Sequence, residues 1–408
     1  MSWASALSVV FDRPYEFIPP HQGNWWPNFI QTFRIYDWHL KRKDGVVGYR
    51  CEGLDHWRRS LERKDGILVA PNHCRYADPL VLGWPARQLG THLHALASWH
   101  LFNESPLMSF AIHKMGAYTL HREGSDRRSL DVSIEILATG SRPLIVFPEG
   151  ATYRTNDVLK PLLDGTTFIA RAAARRAAKN DRRVVILPIA LKYLCKDPVR
   201  PWAEEQLGRL ESHLQWRHVG GGNFRERCIR LVHAMFSLVE SRQGFTAGHD
   251  RWNLRRDEVI EKLLRKAEAE LALEAVGDTG SRVRSIRTAV SESYFGKTPV
   301  SDARGRRLKE IAEWGEQALE LNAFVDLYLQ EGELTESRLV ETVQRLQDRL
   351  LGKADQSIRL EAVIRVDEPF EVPATKGPRG ETDPLLVRLE ERLTEMLADL
   401  SAQSPVLE

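Results

Sequence analysis

Between residues 46 and about 200 the chain switches repeatedly between short β-branched apolar runs and stretches with helical spacing. That alternation constrains the fold more than any other feature. Strand candidates are residues 46–51, 67–70, 92–97, 143–147 and 184–190, and helices fit around 54–62, 79–88, 106–114, 129–139 and 166–179. Strands joined through helices pair in parallel, because a parallel connection needs a crossover long enough to hold one. Helices then cover both faces of the sheet. The expected architecture is α/β, with a largely parallel sheet flanked by helices.

The flanking regions differ in texture. Residues 1–45 are rich in aromatics and proline. A helix over 27–42 would carry Phe29, Ile30, Phe33, Tyr36 and Trp38 toward one broad face, after Trp25 and Trp26 and before Lys41, Arg42 and Lys43. Aromatics beside cations suit a membrane interface; the same pattern also suits a helix that caps the core. Residues 201–356 contain no strand pattern. Stretches 255–275, 304–329 and 335–351 have helical spacing, with Val259, Ile260, Leu263, Leu264, Ala267 and Leu271 on one stripe. Gly220, Gly221, Gly222 and residues 277–280 break that pattern. A strand-like segment at 359–372, a Pro/Gly-rich turn at 373–380 and a helix at 383–400 follow.

Composition excludes several function classes. An apolar fraction of 42% is enough for a core, and a net charge of +2 over 408 residues gives no electrostatic basis for binding nucleic acid. With 28% charged residues and no stretch approaching the roughly 18–20 apolar residues of a spanning helix, a membrane-embedded chain is not expected. Nor does the N-terminal segment carry a signal-peptide pattern. Cys51, Cys74, Cys195 and Cys228 are scattered, as free thiols of a reducing cytoplasm would be. His92, His94 and His100 lack the spacing of a zinc site, so no metal is expected. The basic run Arg171, Arg175, Arg176, Lys179, Arg182 and Arg183 reads as a solvated helix face or as a contact for an anionic partner.

The chemistry-bearing segment is Asn72-His73-Cys74-Arg75-Tyr76-Ala77-Asp78, directly after a buried-looking strand. Ligands of open α/β sheets gather at the carboxyl ends of strands. Five helical residues turn through about 500°, leaving two side chains about 140° apart. His73 and Asp78 therefore meet only if the residues between them form a turn, and Asp78-Pro79 fits an N-cap followed by proline at the first helical position. An imidazole held by a carboxylate is a general base for an alcohol. The same residues also fit a plain helix cap and a turn histidine. Three further blocks follow in order: Gly116 through Arg122, the strand end Phe147-Pro148-Glu149-Gly150, and a strand interrupted by Pro188. The proline argues for an edge strand or a bulge.

Taken together, in this order and spacing, the four blocks resemble the glycerolipid acyltransferase family, which includes lysophosphatidate and glycerol-3-phosphate acyltransferases. The resemblance covers about residues 46–195 and resumes near Glu361–Val372. It implies that His73 is the catalytic base and Asp78 its partner, and that Gly116 and Arg122 belong to a block in which the arginine contacts the acceptor's phosphate. It further implies that Phe147, Pro148, Glu149 and Gly150 shape the acceptor site, with Thr152 and Arg154 extending it, and that Pro188 belongs to a block associated with the acyl donor or with shaping the site. The family-like strand returning after residue 356 makes 201–356 an all-helical insertion in the acyltransferase domain, with 357–408 completing it.

The implied reaction moves a fatty acyl group from acyl-CoA or acyl-carrier protein to a lysophospholipid hydroxyl, in the first instance 1-acyl-glycerol 3-phosphate, with no other cofactor. The expected setting is the cytoplasm, at the inner face of the membrane. Alternatives are glycerol 3-phosphate, a lyso-aminolipid, or a lipid-binding module without turnover. Three departures from the family pattern bear on the acceptor: Ala151-Thr152-Tyr153-Arg154 replaces Thr-Arg-Ser after the glycine, His121 stands where aspartate is common, and Ser98 where a lysine is expected.

Overall fold

The computed structural model describes residues 13–124, 126–216, 221–296, 300–375 and 380–407. Residues 1–12 of the N-terminal segment, Gly220 and residues 376–379 of the Pro/Gly-rich turn lie outside them. Among the described residues, eight strands form one sheet: β1 (Val46–Glu52), β2 (Gly66–Pro71), β3 (His94–Ser98), β4 (Ala117–Leu120), β5 (Leu144–Ile145), β6 (Val184–Cys195), β7 (Leu360–Val366) and β8 (Phe370–Glu371). Their order is β1-β7-β6-β2-β5-β3-β4, with β8 also on β6. Pairings are parallel except β6–β7 and β6–β8. The sheet is thus mixed and mostly parallel, as the alternation implied.

Helices α1 (Trp25–Thr32), α2 (Ile35–Lys43), α3 (Leu54–Glu62), α4 (Asp78–Val81) and α5 (Gly83–Gln88) accompany the first strands. They are followed by α6 (Pro106–Lys114), α7 (Arg127–Thr139) and α8 (Gly165–Ala177). The helical stretch holds α9 (Val199–His213), α10 (Phe224–Gln243), α11 (Trp252–Leu271), α12 (Thr279–Tyr294), α13 (Asp302–Leu321) and α14 (Glu336–Leu350); α15 (Pro384–Ser401) comes last.

Side chains alternate across a strand, so each strand feeds two cores. Ile67 and Val69 of β2 join Leu187, Ile189 and Leu191 of β6 on one face, continuous with Leu231, Leu263, Trp314 and Leu346 of the helical stretch. Leu68, Ala70 and Ile186 face the other way, onto Leu137, Ala173 and Leu393 of α7, α8 and α15. The helical stretch leaves the sheet at β6 and returns at β7, the antiparallel neighbour of β6. Its last helix, α14, buries Arg338, Glu341, Thr342, Gln344, Arg345 and Gln347, so much of its polar side faces protein.

Two local expectations need correction. Pro188 lies neither at an edge nor at a bulge: β6 is flanked by β2 on one side and by β8 and then β7 on the other. Proline is tolerated because it falls where that second side changes partner, after Ile186 pairs with Phe370 and before Ile189 pairs with Val366. Its carbonyl still accepts the Asp367 amide at 3.0 Å. The single helix expected over 27–42 is two, broken at Arg34 in a left-handed conformation (φ 52°). That break sends Tyr36 into the core and leaves Trp25, Phe33 and Trp38 exposed.

Candidate active site

The turn after β2 brings His73 and Asp78 together. Asp78 is the first residue of α4 and not its cap, so Pro79 falls one position later than the sequence pattern suggested. Its carboxylate folds back over the turn and is fully buried. Oδ2 accepts the Cys74 amide at 2.7 Å, the Arg75 amide at 2.9 Å and Nδ1 of His73 at 2.8 Å. Oδ1 accepts the Tyr193 hydroxyl at 2.6 Å. These donors replace the water lost on burial, which a buried carboxylate requires. Asn72 anchors the turn: its side-chain amide donates to the Leu191 carbonyl and accepts the Leu191 amide, extending the β2–β6 ladder by one residue.

The imidazole of His73 stacks on Phe147, with ring centroids 3.8 Å apart. With Nδ1 donating to Asp78, Nε2 is the accepting nitrogen, and the Thr152 hydroxyl lies 2.8 Å from it. The imidazole thus has a carboxylate on one nitrogen and an alcohol on the other, the geometry of base-assisted alcohol attack.

The β5 strand end supplies the opposite wall, and here several sequence expectations change. Both oxygens of Glu149 are engaged within the chain: Oε1 accepts the His73 amide at 2.6 Å and Oε2 the Lys160 amide at 2.9 Å. It ties the base-bearing turn to the loop that follows β5. Burial pushes its carboxyl up to about 8, against the pull of those two amides. Gly150 adopts φ +68°, and a Cβ there would come within 2.4 Å of the Leu163 side chain. Its carbonyl accepts Nη2 of Arg122 at 2.5 Å, so Arg122 does reach the site. Burial, with Arg287 nearby, pulls the Arg122 guanidinium down to about 10, leaving it a cation at neutral pH.

Gly116 does not reach the site. It precedes β4, at the sheet edge opposite the carboxyl end of the parallel β2. Its φ of +101°, and the Leu93 carbonyl 2.6 Å from where a Cβ would sit, give it a purely structural role. Arg154 also turns away: Nε pairs with Asp348 of α14 at 3.0 Å. Pro148 is buried, its carbonyl accepting the Leu163 amide at 2.8 Å. Three members of the basic run pair within the chain, Arg171 with Asp383, Arg176 with Glu135 and Arg183 with Asp65. Among the described residues no cluster could hold a metal ion, and no helix is long and apolar enough to cross a membrane.

Sequence reasoning missed Tyr193, because the strand pattern was ended at residue 190 and Lys192 interrupts the apolar run before it. Lys192 is instead fully buried against Asp157. The one usable signal was the apolar pattern resuming at Tyr193-Leu194-Cys195.

Residues 50–192, from β1 to near the end of β6, match the family model described as Acyltransferase. The match supports acyl transfer as the chemistry of this region, and it contains His73, Asp78, Arg122 and Thr152. None of the curated proteins compared with the chain matches it.

Proposed function

With acyl transfer as the premise for residues 50–192, we propose that the chain moves a fatty acyl group from acyl-CoA or acyl-carrier protein to the hydroxyl of a lysophospholipid, in the first instance 1-acyl-glycerol 3-phosphate. The observation that carries this reading is the ordered contact Asp78–His73–hydroxyl, in which Thr152 Oγ1 stands where an acceptor alcohol would bind. The acceptor hydroxyl replaces that of Thr152 at Nε2. His73 takes its proton as the oxygen attacks the thioester carbonyl. Collapse of the tetrahedral adduct breaks the C–S bond, and the thiolate takes the proton back from Nε2. The carboxylate of Asp78 stabilises the transient imidazolium. No covalent enzyme intermediate is needed, because the thioester is already activated.

Arg122 is assigned to the acceptor's phosphate. A guanidinium has five N–H donors, and the Gly150 carbonyl takes one. Arg122→Gln is expected to raise the acceptor KM by about tenfold or more, the worth of a hydrogen bond to a charged group, with little change for a phosphate-free lyso-aminolipid. Thiol release measured against both acceptor types tests this, and an unchanged KM for the phosphate-bearing acceptor would remove phosphate recognition from the account. For contact with lipid we propose the exposed Trp25, Phe33, Trp38, Leu107 and Phe110, with Arg42 over the Trp38 ring and Lys114 over the Phe110 ring. Trp26 stacks edge-on against Phe110 at 5.2 Å, joining α1 to α6. Sedimentation with anionic phospholipid vesicles reports on this surface, and protein left in the supernatant argues against it.

A further inference from the structure

Strand β6 runs five residues beyond Ala190 and so brings Tyr193 beneath the His73–Asp78 pair. The phenol is 1% exposed and donates to Oδ1 of Asp78 at 2.6 Å, on the oxygen not shared with the imidazole. The two carboxylate oxygens therefore differ: Oδ2 holds His73 and the turn amides, while Oδ1 holds Tyr193. Arg75 stacks its guanidinium 5.1 Å from the Tyr193 ring centroid, fixing the ring from the turn itself.

The backbone of Tyr193 is held from the other direction. Its amide donates to Oδ1 of Asn156 at 2.6 Å, and its carbonyl accepts the Ser337 hydroxyl at 3.2 Å. The amide of Asn156 donates to Oε2 of Glu341 at 3.0 Å, and Glu341 is bonded in turn by the Tyr328 hydroxyl. Ser337 and Glu341 both belong to α14, the last helix of the helical stretch. A continuous hydrogen-bonded path thus runs from α14 through Asn156 and Tyr193 to Asp78 and His73. The same helix grips the loop carrying Thr152, through Arg154–Asp348 and through Arg345, which donates to the Arg154 carbonyl.

We propose that Tyr193 is a positioning residue for the His73–Asp78 pair, and that α14, outside the region matching the acyltransferase model, belongs to the catalytic apparatus because it holds Tyr193 in place. This inference rests on the acyl-transfer reading above. The physical role has two parts. The phenol fixes the rotation of the carboxylate, and it draws charge onto Oδ1, moderating the pull of Oδ2 on the imidazolium. Burial and the adjacent carboxylate push the phenol well above its ordinary range, so it remains a donor at any working pH. A tyrosine whose only role was to fill space would have no effect on the proton affinity of the base.

The test is Tyr193→Phe in the full chain, read by the pH dependence of thiol release and by NMR titration of the His73 ring. The expected result is a fall in kcat of about 10- to 100-fold, the size of loss seen when a hydrogen-bond partner that orients a metal-bound histidine is removed, with KM values near wild type. The acid limb of kcat/KM and the His73 titration midpoint both move to higher pH, because the carboxylate relieved of its phenol pulls harder on the imidazolium. Ser337→Ala, which touches only the Tyr193 carbonyl, should move both in the same direction by less, and it carries the test if the phenylalanine variant fails to fold. Wild-type kcat and an unmoved titration in the folded variants overturn the proposal. A wild type that releases no thiol with any acceptor overturns the functional reading instead, and the titration still decides whether Tyr193 tunes His73.

Discussion

Replacing Asp78 with asparagine is expected to lower turnover by about three to four orders of magnitude while leaving the protein folded, the loss typical when a catalytic histidine loses its carboxylate. The amide oxygen can take the place of Oδ2 and still accept from Cys74, Arg75 and His73 Nδ1. Its NH2 group then faces Tyr193, whose hydroxyl can accept as well as donate. What disappears is the negative charge that stabilises imidazolium as the acceptor loses its proton. A neutral amide is also easier to bury than a carboxylate, so thermal stability should change little. Steady-state kcat beside a thermal melt separates the two effects, and a large loss of stability with modest loss of rate per folded molecule would make Asp78 a structural residue.

The second large effect is on stability. Asp157 lies in the loop after β5 and bridges fully buried Lys192 of β6 and Arg338 of α14, the latter at 2.7 Å. Burial alone would raise its carboxyl, but the two cations overcome that and hold it below the usual carboxylate range. Asp157→Ala leaves Lys192 in the core without its carboxylate, and breaking a buried pair from one side destabilises by about 3–5 kcal/mol. Chemical denaturation at neutral pH should show that difference. The stabilisation is fully present above the ordinary aspartate range and is lost as pH falls through the depressed native value. The gap between wild type and variant should therefore narrow in acid, and a gap independent of pH would mean that packing, not charge, is what the alanine removes.

Much of the fold was legible because its signals are local. Helices α3 and α6 begin and end where the sequence pattern places them, and β1 and β2 agree to within two residues, since apolar period and proline or turn residues mark their ends. Legibility failed where a distant partner decides. Nothing near Lys192 announces that Asp157 and Arg338 will neutralise it, so β6 was ended too early. The helical spacing of α14 is plain in the sequence, but nothing in that spacing tells that its polar residues grip the loop after β5. In the site, the His73–Asp78 contact and the approach of Arg122 were readable from motif order. Glu149, Arg154 and Gly116 were not, because a carboxylate beside two free amides, an arginine beside Asp348 and a glycine under the Leu93 carbonyl answer to their three-dimensional neighbours.

In the proposed reaction His73, oriented by Asp78, removes the acceptor's proton. Thiol release from acyl-CoA in the presence of a lysophospholipid, compared between wild type and His73→Ala, tests it most directly. Acceptor-dependent release is expected from the wild type and release at the uncatalysed background from the alanine variant, with the fold retained because His73 sits at a partly exposed turn. Wild-type-like, acceptor-dependent release by His73→Ala would contradict it.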